Sequence, residues 1–175
     1  MKFIKIKNKE DKYFKEAMEL YKTSFPVFEQ RTLDKQIEVL ENKEYNFAII
    51  CDDENLMGIL FYWEYDNFRY IEHFAIKKDL RGKSYGSKIL KIFCESEKET
   101  ILEIDPPIDD ISIKRLKFYS KLGFKLGEFN HIHPPYRKEY QGHKLKIMSF
   151  NENLSKEEYE EFNRYLKEEV MKFAD

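Results

Sequence analysis

The stretch YIEHFAIKKDLRGKSYGSKILKIF, residues 70–93, decides the fold. It runs from a hydrophobic strand, through a turn holding Arg81, Gly82, Ser84 and Gly86, into an amphipathic helix. A strand that feeds a small-residue turn at a helix start is a ready anion site. The first N–H groups of a helix lack internal partners, and the helix dipole places positive potential there. Small residues let a phosphate approach the main chain, and glycine permits backbone angles that a side chain forbids. Arg81 adds a planar donor suited to phosphate. The pattern predicts a phosphorylated cofactor held where the helix begins, near Gly86. Neither G-x-G-x-x-G nor G-x-x-x-x-G-K-[ST] occurs, so this is neither a dinucleotide fingerprint nor a P-loop.

A second element lies downstream, ISIKRLKFYSKLGF at 111–124. In this order the pair resembles the GNAT superfamily of N-acetyltransferases, which carries an R/Q-x-x-G-x-G/A turn for the pyrophosphate of acetyl-CoA and a later Y-x-x-x-G-F helix end. Here the turn is Arg81-Gly82-Lys83-Ser84-Tyr85-Gly86 and the helix ends Tyr119-Ser120-Lys121-Leu122-Gly123-Phe124. Ser84 stands where the family usually has its first Gly, and Ser112 where an Asn often begins the later helix. The resemblance spans roughly residues 3–150.

Composition sets bounds around this reading. A length of 175 residues fits one domain, 1–175, with a core over about 3–150 and a C-terminal helix near 155–171. Hydrophobic residues at 42% and aromatics at 16% exclude a disordered chain. A formal net charge of -2 gives no basic stripe for nucleic acid. No apolar run approaches the ~20 residues that span a bilayer. MKFIKIKNKED at the start has no signal-peptide core, so a cytoplasmic protein is expected. Cys51 and Cys94 form no metal or redox motif and read as two buried thiols. Lys outnumbers Arg and Ile, Asn, Phe and Tyr are common, as an AT-rich bacterial genome would encode.

Along the chain, residues 3–7 alternate as a first strand. Helices are expected at 11–22, with Asp11 as cap, and at 32–42, separated by Pro26. Strands follow at 45–51, 56–65 and 68–76, with the first two joined by Asp52–Asn55. The cofactor helix, a strand at 100–105, the helix 111–122, and strands near 124–131 and 143–150 complete the core. Ser155 and Glu158 form a capping box for a terminal helix striped with Tyr159, Phe162, Leu166 and Val170. That helix docks on the domain or serves a homodimer contact. Early hairpins and a later strand–helix–strand–helix order predict a mixed α/β fold. The resemblance implies the same: a GNAT-like, partly parallel sheet of about seven strands flanked by helices, plus a C-terminal helix.

Acetyl transfer to an amine needs the amine deprotonated, the oxyanion stabilised and the departing thiolate protonated. Glu72 is the candidate base. Alternation places it on the side of Phe74 and Ile76, where apolar surroundings would raise its pKa, and family members often place a Glu at this level. His73 then points the other way. The resemblance implies that this strand splays from its neighbour, freeing backbone N–H groups around Phe74, Ala75 and Ile76 for the pantetheine and the thioester carbonyl. It also implies that residues 81–87, including Lys83, Tyr85 and Ser87, with Ser112, hold the cofactor, and that Tyr119 donates to sulfur. SFPVFEQR, 24–31, resembles a loop that overlies the acceptor site in part of the family. Phe25, Phe28, Glu29 and Arg31 would line that pocket, with Tyr136 facing it. Glu29, Glu64, Asp66 and Glu72 would together suit a cationic amine. His131 and His133 lie at i and i+2, two ligands without a third, so no metal is expected.

The expected activity is direct transfer of acetyl from acetyl-CoA to a small primary amine, since no Cys stands at a matching position for a relay. The alternatives are a catalytically silent acyl-CoA-binding or sensing domain, and a protein N-terminal or lysine acetyltransferase. Small-molecule amines are the expected partners, with no nucleic acid, membrane or metal.

Overall fold

The computed structural model describes residues 1–175. Eight strands form one sheet: β1 (Lys2–Ile6), β2 (Tyr45–Asp52), β3 (Asn55–Glu64), β4 (Phe68–Ile76), β5 (Glu99–Ile104), β6 (Phe124–Leu126), β7 (His131–His133) and β8 (His143–Phe150). Their order is β1-β2-β3-β4-β5-β8-β6, with β7 also on β8. Only β4 and β5 run parallel; every other pairing is antiparallel. The mixed sheet expected from the sequence is present, with one strand more. The stretch expected as a single strand near 124–131 breaks in two. Gly127 donates to the Ile147 carbonyl at 2.8 Å, and the Phe129 ring folds against it.

Helices cover both faces. On one face α1 (Phe14–Ser24) packs Met18 and Tyr21 with Phe47, Phe61 and Trp63. The chain there also includes α2 (Leu33–Glu38), capped by Thr32. The terminal α5 (Lys156–Tyr165) starts at the expected Ser155–Glu158 capping box. It continues as a π-turn over Leu166–Val170 and buries Phe162, Leu166 and Val170 in the same core. On the other face α3 (Tyr85–Cys94) and α4 (Asp110–Lys121) cover Ile50, Leu60 and Leu102. Asp11 does not cap α1. Its carboxylate accepts from the Tyr13 N–H at 2.9 Å, and α1 starts beyond that turn. Cys51 and Cys94 are free and buried.

Two irregularities of β4 shape the site. Pairing with β5 stops at Ile71–Leu102, after which β5 pairs only with β8, so the edge of β4 from Glu72 to Ile76 lies open. Opposite it, β3 register jumps: Phe61 faces His73 while Tyr62 faces Ile71. Glu72 is therefore the extra residue of a β-bulge, which redirects side chains.

Candidate active site

The open edge of β4 is one wall of a cleft of about 860 Å³. β5 supplies the opposite wall through Leu102, Glu103 and Ile104. One end is made by the turn before α3 and by Phe118 and Tyr119 of α4. The other is made by the loop after α1, with Phe25, Phe28 and Glu29, and by His133, Tyr136 and His143.

At the first end the geometry suits a phosphorylated ligand. Ser84, the N-cap of α3, makes no side-chain cap, so the first N–H groups of the helix are not satisfied by it. Arg81 is anchored through Nε to the Ile76 carbonyl at 2.9 Å, and its terminal amino groups bond nothing in the protein. A Cβ at Gly86 would lie 3.5 Å from the Phe118 ring, so the bare glycine keeps this corner open. Phe74, Ala75, Ile76, Arg81, Gly82, Ser84, Tyr85, Gly86 and Ser87 all line the cleft. Lys83 does not and is exposed. Ser112 does not either. Its hydroxyl is consumed in the α4 capping box, donating to Asp109 at 2.9 Å and accepting from the Ile108 and Asp109 N–H groups. Lys114 and Arg115, which the motif reading passed over, reach the cleft instead.

Glu72 departs furthest from expectation. The bulge turns it, with His73, toward the core that holds Trp63 and Tyr21, away from Phe74 and Ile76. Its carboxylate pairs with Arg31 at 2.7 Å, both side chains fully buried. It also accepts from Trp63 Nε1 at 3.0 Å and Tyr136 Oη at 2.8 Å. Burial alone would push this carboxyl up; the Arg31 guanidinium outweighs it and holds the group at about 2. A carboxylate held that low and capped by three donors has little basicity, so apolar surroundings do not make Glu72 a tuned base. Arg31 likewise leaves the acceptor pocket: it is 1% exposed, bound to Glu72, and donates to the Val170 carbonyl at 3.2 Å. Tyr136 joins both assemblies, its hydroxyl on Glu72 and its ring beside His73 and His133.

Other expected residues fall within the cleft. Glu29 lines it without an ion-pair partner. Burial, with the nearby Asp105 and Glu103 charges, raises its carboxyl to about 7, against the pull of Arg115. His73 bonds the Glu29 carbonyl at 2.8 Å and is lowered by burial to about 4, so it is neutral at pH 7 and donates there from Nε2. Tyr119 lines the cleft, and burial pushes its phenol up to about 12, so it keeps its proton at neutral pH. Glu64 lies elsewhere, paired with Arg69 and Lys98 at 3.6 Å each, so the four expected carboxylates do not cluster.

The Acetyltransferase (GNAT) domain profile matches residues 43–126, the segment from β2 through β6 that carries the open edge, the turn and Tyr119. Residues 43–126 form a GNAT acetyltransferase domain. A solved structure from Bacteroides thetaiotaomicron, assigned to the GNAT family of acetyltransferases, superposes with a TM-score of 0.91 at 29% identity, covering 98% of each chain. A Bacillus subtilis (strain 168) protein assigned as an acetyltransferase, YjbC, is 29% identical over 103 residues. That match takes in 58% of this chain and spans about half, 52%, of the relative. A B. subtilis acetyltransferase solved in complex with CoA shares the fold at TM-score 0.60 and 16% identity, over 85% of this chain and 97% of its own. With its GNAT domain, the chain has the framework of an acetyl-transfer enzyme. No helix is long and apolar enough to cross a membrane.

Proposed function

We propose that this GNAT domain transfers an acetyl group from acetyl-CoA directly to the primary amine of a small molecule. The observation that carries the reading is the continuity of one cleft between two unlike ends. The phosphate-suited turn and open β4 edge stand at one end, and Glu29, a carboxyl without an ion-pair partner, lines the other with Phe25 and Phe28. The pyrophosphate would rest on the Ser84–Ser87 backbone and Arg81. The open edge of β4 would pair with the pantetheine amides as a missing strand would, and its N–H groups would face the thioester carbonyl, where negative charge develops.

Glu29 is the counter-charge for an ammonium. Phe25 and Phe28 give that end aromatic walls, which suit the alkyl or aryl part of a small amine. Tyr119 supplies the proton to sulfur. A thiolate whose thiol has a pKa of about 8.5 is the weaker base toward this phenol, so the transfer relies on position and on the developing charge.

Calorimetric titration with acetyl-CoA and CoA tests the first half. Binding near micromolar, about -8 kcal/mol, weakened by Arg81→Ala, supports the reading; no binding to either ligand removes it. Thiol release that depends on an added amine tests the second half.

A further inference from the structure

With Glu72 sealed by Arg31, the transfer proposed above needs another proton acceptor, and the acceptor end of the cleft contains one. His133 on β7 is 1% exposed and lines the cleft. Its Nδ1 lies 2.6 Å from the Pro134 carbonyl. A carbonyl only accepts, so Nδ1 carries the ring proton and the neutral ring presents its lone pair at Nε2. That nitrogen is itself buried and has no hydrogen-bond partner in the protein. Glu103 Oε1 lies 3.8 Å from it, within ion-pair range once the ring is protonated. Glu103 cannot turn away. Tyr70 donates to one of its oxygens, and His131 Nε2 lies 2.6 Å from the other. Burial would push its carboxyl up; the hydrogen bonds from His131 and Tyr70, and the charge His133 gains on protonation, pull it the other way and keep it ionised. A proton placed on His133 Nε2 therefore gives that nitrogen a donor function and gives Glu103 an opposite charge.

We propose that His133 is the general base of the reaction and that Glu103 is its positioning carboxylate. The acceptor ammonium gives one proton to His133 Nε2, directly or across one water. The freed nitrogen lone pair forms the C–N bond with the thioester carbonyl. As the tetrahedral intermediate collapses, the C–S bond breaks and the sulfur takes the Tyr119 proton. The second proton lost by the nitrogen restores the phenol. The imidazolium returns its proton to solvent after release, so the net products are amide, thiol and one proton. Other groups facing His133 set its field: His143 from β8, with ring centroids 5.6 Å apart, Tyr136 from the following loop at 4.9 Å, and His73 from β4. Burial lowers both His143 and His73, so at neutral pH Glu103 is the charge nearest Nε2.

The test is the pH dependence of kcat, with acetyl-CoA and a panel of primary amines from ethylamine to tyramine at saturation, in wild type, His133→Ala, His133→Gln and Glu103→Gln. General-base loss costs about 100-fold or more. We expect that fall in kcat for both His133 variants, with unchanged CoA affinity and loss of the ascending limb. Glu103→Gln should move that limb to lower pH, because the carboxylate favours the imidazolium. Imidazole ¹H–¹⁵N spectra of the wild type should show His133 protonated at Nδ1, a readout that holds even if both His133 variants misfold. A folded His133→Ala or His133→Gln that keeps the limb and kcat within about threefold overturns the proposal. So does an Nε2–H tautomer, or a limb that follows Glu29→Gln instead. A wild type that binds acetyl-CoA but releases no thiol with any amine overturns the amine reading, and the base role with it.

Discussion

Glu72, Glu29 and Ser84 show how far one residue's chemistry depends on what stands beside it. Glu72→Gln leaves the Arg31 guanidinium buried and unpaired, since both side chains of that pair are fully buried. The expected cost is about 3–5 kcal/mol of folding stability. Urea denaturation followed by Trp63 fluorescence would measure it, because the lone tryptophan bonds the Glu72 carboxylate at 3.0 Å. A stability change below about 1 kcal/mol would contradict the ion-pair reading. Glu29 carries the opposite sign. Its carboxyl is raised to about 7 by burial, so the folded chain keeps this proton over a range where the unfolded chain, near 4.5, has lost it. The Glu29 contribution to stability therefore falls as pH rises from about 4.5 to 7. Glu29→Gln should remove that slope from a melting series across this range, and should raise KM for the amine above neutral pH more than it lowers kcat. Ser84 holds φ at +62°, a left-handed position that costs a non-glycine residue about 1 kcal/mol. Ser84→Gly should recover part of that and tighten acetyl-CoA binding in calorimetry. Unchanged affinity would separate the turn's conformation from the cofactor's grip.

At the scale of elements, β4 is the part on which the site depends. Its bulge turns Glu72 and His73 to one side, and its separation from β5 opens the cleft. Gly58 on β3 holds this strand where it is: a Cβ there would lie 2.6 Å from the Ala75 carbonyl oxygen, and a backbone atom cannot swing aside. Gly58→Ala should cost about 1–3 kcal/mol by overpacking. By pushing on Ala75 it should also weaken CoA binding, which calorimetry on the folded variant would read. Strand and helix identities were legible because apolar periodicity reports them locally, as did the Ser155–Glu158 box. The bulge was not legible, since a strand read by strict alternation contains no sign of an extra residue. That one displaced residue reversed the side assigned to Glu72, and the error passed into its expected pKa.

For the whole molecule, the terminal helix is part of the core, not an appendage. Phe162, Leu166 and Val170 are fully buried, and the Val170 carbonyl receives Arg31. Removing residues 155–175 should expose that core and abolish cooperative unfolding, seen as loss of a sharp thermal transition by circular dichroism. A truncated chain that still melts cooperatively would show the helix to be dispensable. The sequence by itself determined the mixed sheet, the helices on its faces, and the Arg81–Gly86 turn with Tyr119 at one end of the cleft. The sheet, the helices and the turn follow from periodicity, small residues and short-range spacing, which any contiguous stretch of chain expresses; Tyr119 was reached through the family resemblance of its helix end. Only the tertiary structure decided which acids and bases meet. Arg31 reaches Glu72 across 41 residues of chain, and Glu103 meets His131 and His133 from another strand. Pairings between residues so distant in sequence are set by how the sheet and its loops close, and the charge each group carries follows from those partners and from burial, which no local pattern records.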